Sequence, residues 1–156
     1  MKALLLLLVA VAVSLAFVGT TAAAPPLVAT SVVTGTSDVV VSARQSGPNL
    51  IIIEDDQTNV ATDPVTGEVV GTSSLTLRGV VHADGSAEFN GRGTHTGTLP
   101  GCGQVTFDFD TWFRVDASGQ FAGGSAAIAG SPVTLNAQYG GSEFDPTFME
   151  TFTYKC

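Results

Sequence analysis

From Gln104 to Val115 the chain alternates between apolar and polar residues without a break. Val105, Phe107, Phe109, Thr111, Phe113 and Val115 fall on one side. Gln104, Thr106, Asp108, Asp110, Trp112 and Arg114 fall on the other. A period of two sends successive side chains to opposite faces of an extended strand, whereas a helix would scatter both sets around its circumference. The segment therefore predicts a strand with one face in a core and one in water. No stretch of useful length with a 3.6-residue period is found after residue 24.

Turn signals divide the rest of the chain into similar pieces. Asp63-Pro64-Val65-Thr66-Gly67, Ala83-Asp84-Gly85-Ser86, Pro100-Gly101-Cys102-Gly103 and Asp116-Ala117-Ser118-Gly119 each combine Asp or Pro with Gly, the residues that tight turns demand. Between them the pattern predicts strands near residues 33–41, 49–54, 68–82, 87–99, 104–115, 120–128, 132–139 and 147–155. About eight strands with frequent turns imply an all-β domain. The expected architecture is a single antiparallel barrel, with a two-sheet sandwich as the alternative. Gly71, Gly79, Gly91, Gly93 and Gly97 lie inside strands, where glycine marks bends and close approach, and this favours the barrel.

Residues 1–24 differ in kind. Lys2 is followed by an apolar run from Leu4 to Val18, then by small residues from Gly19 to Ala24. This order is that of a secretory signal peptide, and the run is shorter than the ~20 residues a membrane-spanning helix needs. The domain reading is a signal over 1–24, a loose lead-in over 25–30 and a β-barrel domain over 31–156. No Cys follows the run, so lipid anchoring is not expected, nor is membrane association after cleavage. The protein is expected outside the cell or in the cell envelope.

Export gives the two cysteines a meaning. Cys102 and Cys156 are the only ones, and in an oxidising compartment they are expected to form a disulfide. Neither lies in a Cys-x-x-Cys pair or beside a His, which argues against redox or nucleophilic use.

The run Asp84-Gly85-Ser86-Ala87-Glu88-Phe89-Asn90-Gly91-Arg92-Gly93-Thr94-His95-Thr96-Gly97-Thr98-Leu99 resembles the central hairpin of small bacterial barrels of the allene-oxide-cyclase-like type. Ser118-Gly119-Gln120-Phe121-Ala122-Gly123-Gly124-Ser125 resembles a later glycine-rich strand of the same group. The resemblance spans Ser31 to Lys155. It implies a small exported barrel, in a group whose members are mostly of unknown function. The plant cyclases that name the fold isomerise an unstable fatty-acid epoxide. Their catalytic pattern has no counterpart here, so that activity is not carried over.

Charge narrows the partners. The chain carries 14 acidic and 6 basic residues, a net charge of −8. Removing Lys2 with the signal takes this to −9. Nucleic acid is excluded as a partner, because phosphate binding needs clustered Lys and Arg. No zinc spacing, nucleophile elbow or phosphate loop is present, and no cofactor is expected.

The candidates for chemistry are few. His95 shares its parity with Phe89, Gly91, Gly93, Gly97 and Leu99, the expected inner face, where glycines would leave room for a ligand. An inner His near Glu54, Asp56 or Glu150 would make a proton-transfer site, so His95, Glu150 and Glu54 are the candidate catalytic residues. Among Glu54, Asp55 and Asp56, alternation turns one acid inward, and burial would raise its pKa. Asp108 and Asp110 share a face and are a candidate pair of cation ligands, but two carboxylates supply few of the oxygens Ca²⁺ needs. The bland alternative is a solvated face with Arg114 offsetting the charge. Trp112 on that face could stack on a sugar or a partner. Three functions stay open: binding of an apolar small molecule inside the barrel, an isomerase or lyase using interior polar groups, and a structural or adhesive role of the outer face. Oligomeric state is left open.

Overall fold

The computed structural model describes residues 25–128, 134–141 and 147–156, with the backbone alone for 134–141 and 152. The leader expected over Met1–Ala24 lies outside the described residues. The strands are β1 (Leu27–Ser46), β2 (Asn49–Thr62), β3 (Val69–Val81), β4 (Ala87–Leu99), β5 (Gly103–Val115), β6 (Phe121–Ile128), β7 (Thr134–Gly141) and β8 (Thr147–Lys155). No helix occurs among the described residues.

The strands form one curled antiparallel sheet. Each pairs with its chain neighbour, and Leu27–Thr34 of β1 also pairs with Tyr154–Thr147 of β8. A single sheet replaces the two facing sheets of the sandwich alternative.

Two strands are longer than the sequence pattern predicts. Leu27–Thr30, expected as a loose lead-in, is ladder paired with β8. β2 continues past Glu54 to Thr62, because a register shift between Ile52 and Asp55 lets the acidic run stay in the sheet. Such bulges add a residue to one strand and reset which side chains face in. β1 carries three shifts against β2, between Gly35 and Ser37, Val40 and Ser42, and Ser42 and Ala43. The face expected from Val33, Gly35, Ser37, Val39 and Val41 is therefore broken. Val33 is buried, while Val39, Val40 and Val41 are all exposed.

The inner face holds two apolar clusters. Leu77, Ala87, Phe113 and Val115 form one, with Leu75, Val81, Phe89 and Phe121 packed against it. Leu99, Phe107, Ala126 and Tyr154 form the other, joined by Ala29, Cys102, Val105, Phe109 and Ile128. Leu77 and Tyr154 are each 1% exposed.

The β3–β4 and β4–β5 ladders have no register shift over their length. Glycine lets them approach closely. A Cβ on Gly91 would run into the Leu77 side chain and sit 2.7 Å from the Thr76 carbonyl oxygen. Replacing Gly91 with Ala is expected to cost about 2 kcal/mol, as overpacking of a filled core does. An unchanged urea midpoint for G91A would show that the two strands part freely.

The turns hold by side-chain capping. The Asp63 carboxylate accepts from the Val65 and Thr66 amides, both at 2.8 Å. Asp84 accepts from the Ser86 amide at 2.9 Å, and Asp116 from the Ser118 amide at 2.8 Å. Gly67, Gly85 and Gly119 close these turns at φ of 73°, 87° and 83°, a region that L residues with a Cβ avoid. At the end of the sheet that carries the β2–β3 turn, Cys102 and Cys156 are joined by a disulfide, with Cα atoms 5.4 Å apart.

Candidate functional site

His95 lies on β4, buried on the inner face, as its parity predicts. Its ring stacks on Phe107 with centroids 5.1 Å apart. The glycines around it play a different part from the one expected. A Cβ on Gly71 would come within 2.6 Å of His95 Nε2, and one on Gly97 within 2.7 Å. The space these glycines leave is filled by the imidazole itself, so they make room for His95 rather than for a ligand. Burial lowers the His95 pKa, because it disfavours the charged imidazolium.

The candidate acids stand on other strands, Glu54 on β2 and Glu150 on β8. Glu150 is on β8, opposite Ser31 of β1 in the ladder. Its pKa is pushed up to about 8 by burial. Glu54 is exposed and pairs with Ser42 at the bulged part of the ribbon. The acid that turns inward there is Asp55, which is 5% exposed and opposite Leu77. The bulge sends Glu54 outward, away from the inner face that carries His95. Asp55 is pushed up to about 6, first by burial and then by the neighbouring Asp38 carboxyl.

Asp108 and Asp110 lie on the solvated outer face of β5. Thr94 Oγ1 donates to Asp108 at 2.7 Å, and Arg92 Nε donates to Asp110 at 2.9 Å. The charge of Asp110 is offset by Arg92 across the ladder. Arg114, expected in that role, pairs with Glu88 at 3.1 Å. Among the described residues, no three His, Cys, Asp or Glu side chains gather in a way that would hold a metal ion.

The same outer face carries an open depression of about 550 Å³ across β2 to β5. Asp56, Thr58, Thr76, Arg92, Thr94 and Asp108 line it with their polar groups. The ladder explains the grouping. Asp56, Thr76, Arg92 and Asp110 stand in one row across four strands, and Thr58, Ser74, Thr94 and Asp108 in the next. Thr76 Oγ1 donates to Asp56 at 2.7 Å, so both rows are preset by hydrogen bonds. Trp112, exposed, stands two residues from Asp110 on the same face of β5. The sequence reading placed Asp108, Asp110 and Trp112 on this face, took Asp56 only as a candidate inward acid, and did not single out Arg92 or Thr94. The signal for Arg92 was hairpin arithmetic, since Arg92 and Asp110 are equidistant from the Gly101 turn.

Comparison of the chain with protein-family models, with curated proteins and with solved structures finds no match.

Proposed function

We propose that this is an exported, non-catalytic barrel protein that binds a hydroxyl-rich polar ligand, a glycan, on the outer face of β2 to β5. The reading includes a leader over residues 1–24 and closure of the eight strands into a barrel. The β1–β8 ladder supports closure, and a disulfide is compatible with an oxidising exterior. The observation that carries the binding reading is the outer depression, with its preset carboxylates, guanidinium and threonine hydroxyls. Sugars present donors and acceptors in fixed array together with an apolar ring face. Trp112, on the same face of β5 but outside the depression and toward Gly123 of β6, offers the flat partner such a ring stacks on. The outer face of β4 and β5 is rich in Thr, Asp and Arg, which suits water rather than lipid hydrocarbon.

This reading develops the surface role among the three functions left open by the sequence. Binding of an apolar molecule inside is less supported, because the inner face near His95 is occupied by packed side chains. An isomerase or lyase is less supported, because Glu54, one of its three candidate residues, is exposed on the outer side of the sheet.

A glycan array probed with the protein after signal removal tests the proposal. Binding to at least one glycan class is expected. R92A and W112A should each weaken it about tenfold, the loss of a charge-assisted hydrogen bond or of one stacked ring. Retention of full binding in both variants would remove the outer face from the function.

A further inference from the structure

We infer that Asp38 and Asp55 form a site for a hard divalent cation of the Ca²⁺ type, held between β1 and β2. The inference begins with an oxygen that has no donor. Asp55 Oδ1 is buried, and no N–H or hydroxyl donor reaches it; the one hydrogen bond open to this carboxyl besides that of Gln57 is through a proton shared with Asp38. Its other oxygen, Oδ2, accepts from Gln57 Nε2 at 3.1 Å. Buried carboxylate oxygens are ordinarily satisfied, and an orphan one implies a partner of another kind. The Asp38 carboxyl is the group within reach of Asp55. When both are ionised each is an acceptor only, so neither can satisfy the other.

The ladder forces this encounter. Asp38 is opposite Gln57, and Val40 is opposite Asp55, so Asp38 and Asp55 are diagonal neighbours on one face. The register shift between Ile52 and Asp55 is what turns Asp55 to that face. Asp56, next in sequence, is on the outer face and engaged by Thr76. Two like charges brought together in this way need a proton or a cation between them.

A cation suits the surroundings better than a proton does near neutral pH. Asp38 is exposed, so the pair opens to solvent on one side and an ion has a way in. Asp55 and Asp38 supply carboxylate oxygens, and water from the open side completes the six to eight that Ca²⁺ takes. A site with two protein carboxylates belongs with weak extracellular calcium sites, at about 10⁻⁴ to 10⁻³ M. Such an affinity works only where Ca²⁺ is abundant, as it is outside cells. Asp108 and Asp110, the pair first considered from sequence, are already satisfied by Thr94 and Arg92 and lack this orphan oxygen.

The test uses the protein after signal removal, with CaCl₂ as the probe and NaCl at matched ionic strength as the reference. At pH 7.5, about 5 mM CaCl₂ is expected to raise the thermal midpoint of the wild type by a few degrees, on the order of 3–6 °C. D38N should lose that shift. In NaCl alone, D38N should melt above the wild type, because the like-charge contact is gone. E68Q, in the exposed β2–β3 turn, should keep the full calcium shift. Calorimetric titration should give one site per chain, weakened at least tenfold in D38N. No calcium-specific shift in the wild type, or the same shift in D38N, would overturn the assignment.

Discussion

Reduction of the Cys102–Cys156 disulfide is expected to lower stability by about 4 kcal/mol, the chain-entropy value for a loop of this length. The two cysteines are 54 residues apart, and the loop between them contains the whole of β5, β6, β7 and β8. Without the bond the unfolded chain gains that loop's freedom. The folded state gains little, because the same end is held twice. Tyr154 is buried in the cluster that Cys102 packs against, and its hydroxyl donates to the Pro100 carbonyl at 2.9 Å. The native fold should therefore survive reduction, with a thermal midpoint lower by about 15 °C. The position of β8 makes the loss cooperative, because β8 pairs with both β1 and β7. Urea unfolding with and without a phosphine reductant, and of the double C102S/C156S variant, measures the effect. Equal midpoints would show that the bond does not restrict the unfolded chain. Y154F in the reduced background should cost more than in the oxidised one, because the hydroxyl is then the remaining tie to the turn.

How far such features can be read from sequence depends on whether a strand keeps its parity. Gln104–Val115 does. Phe107 and Phe113 are buried and Asp108, Asp110 and Arg114 are exposed, as the alternation predicts. The β4–β5 ladder that carries it has no register shift. β1 and β2 do not keep parity. Each bulge inverts the faces beyond it, and no local residue type announces one, so the exposure of Val39 to Val41 and the inward turn of Asp55 were hidden. His95 shows a second limit. Its burial followed from parity, but glycine spacing alone does not say whether the freed volume goes to a ligand or to the neighbouring ring. The outer depression shows a third. It is made by rows that cross four strands, so it depends on pairing registers rather than on any one segment. The disulfide was legible because export and a count of two left one pairing.

Stability should fall as pH rises from about 5 to above 8, with Glu150 as the main cause. The ordinary carboxyl value is 4.5, and burial pushes Glu150 up to about 8. Between these values the folded protein holds a proton that the unfolded chain has released. Unfolding then loses that proton, so the folded state is increasingly disfavoured as pH rises, until the penalty is complete above about 8. At 1.36 kcal/mol per pKa unit a fully buried carboxyl with this shift would account for about 5 kcal/mol, and the partly buried Glu150 for less than that. Asp55, pushed from 3.8 up to about 6, adds in the same direction over the lower part of the range. The structural setting of Glu150 agrees. Ser31 stands opposite it, 3% exposed, and Ser31 Oγ has no hydrogen-bond partner. Facing residues of an antiparallel pair have Cβ atoms about 5 Å apart. A protonated Glu150 thus has a hydroxyl acceptor near it, which an ionised one would not use. Below pH 4 the trend reverses. Asp63, Asp84 and Asp116 are held below the usual carboxylate value, Asp63 first by the Thr66 amide and the other two first by the Ser86 and Ser118 hydroxyls. The stability they contribute is present above the ordinary value and is lost as pH falls through their lowered ones. The expected profile of the urea midpoint therefore peaks near pH 5 and declines on both sides. E150Q removes the titrating group while keeping its shape, so it should flatten the alkaline limb and make the protein more stable than the wild type at pH 8. A wild-type midpoint that stays level or rises from pH 5 to 8, or an E150Q variant with an unchanged alkaline limb, would show that the carboxyl reaches solvent freely.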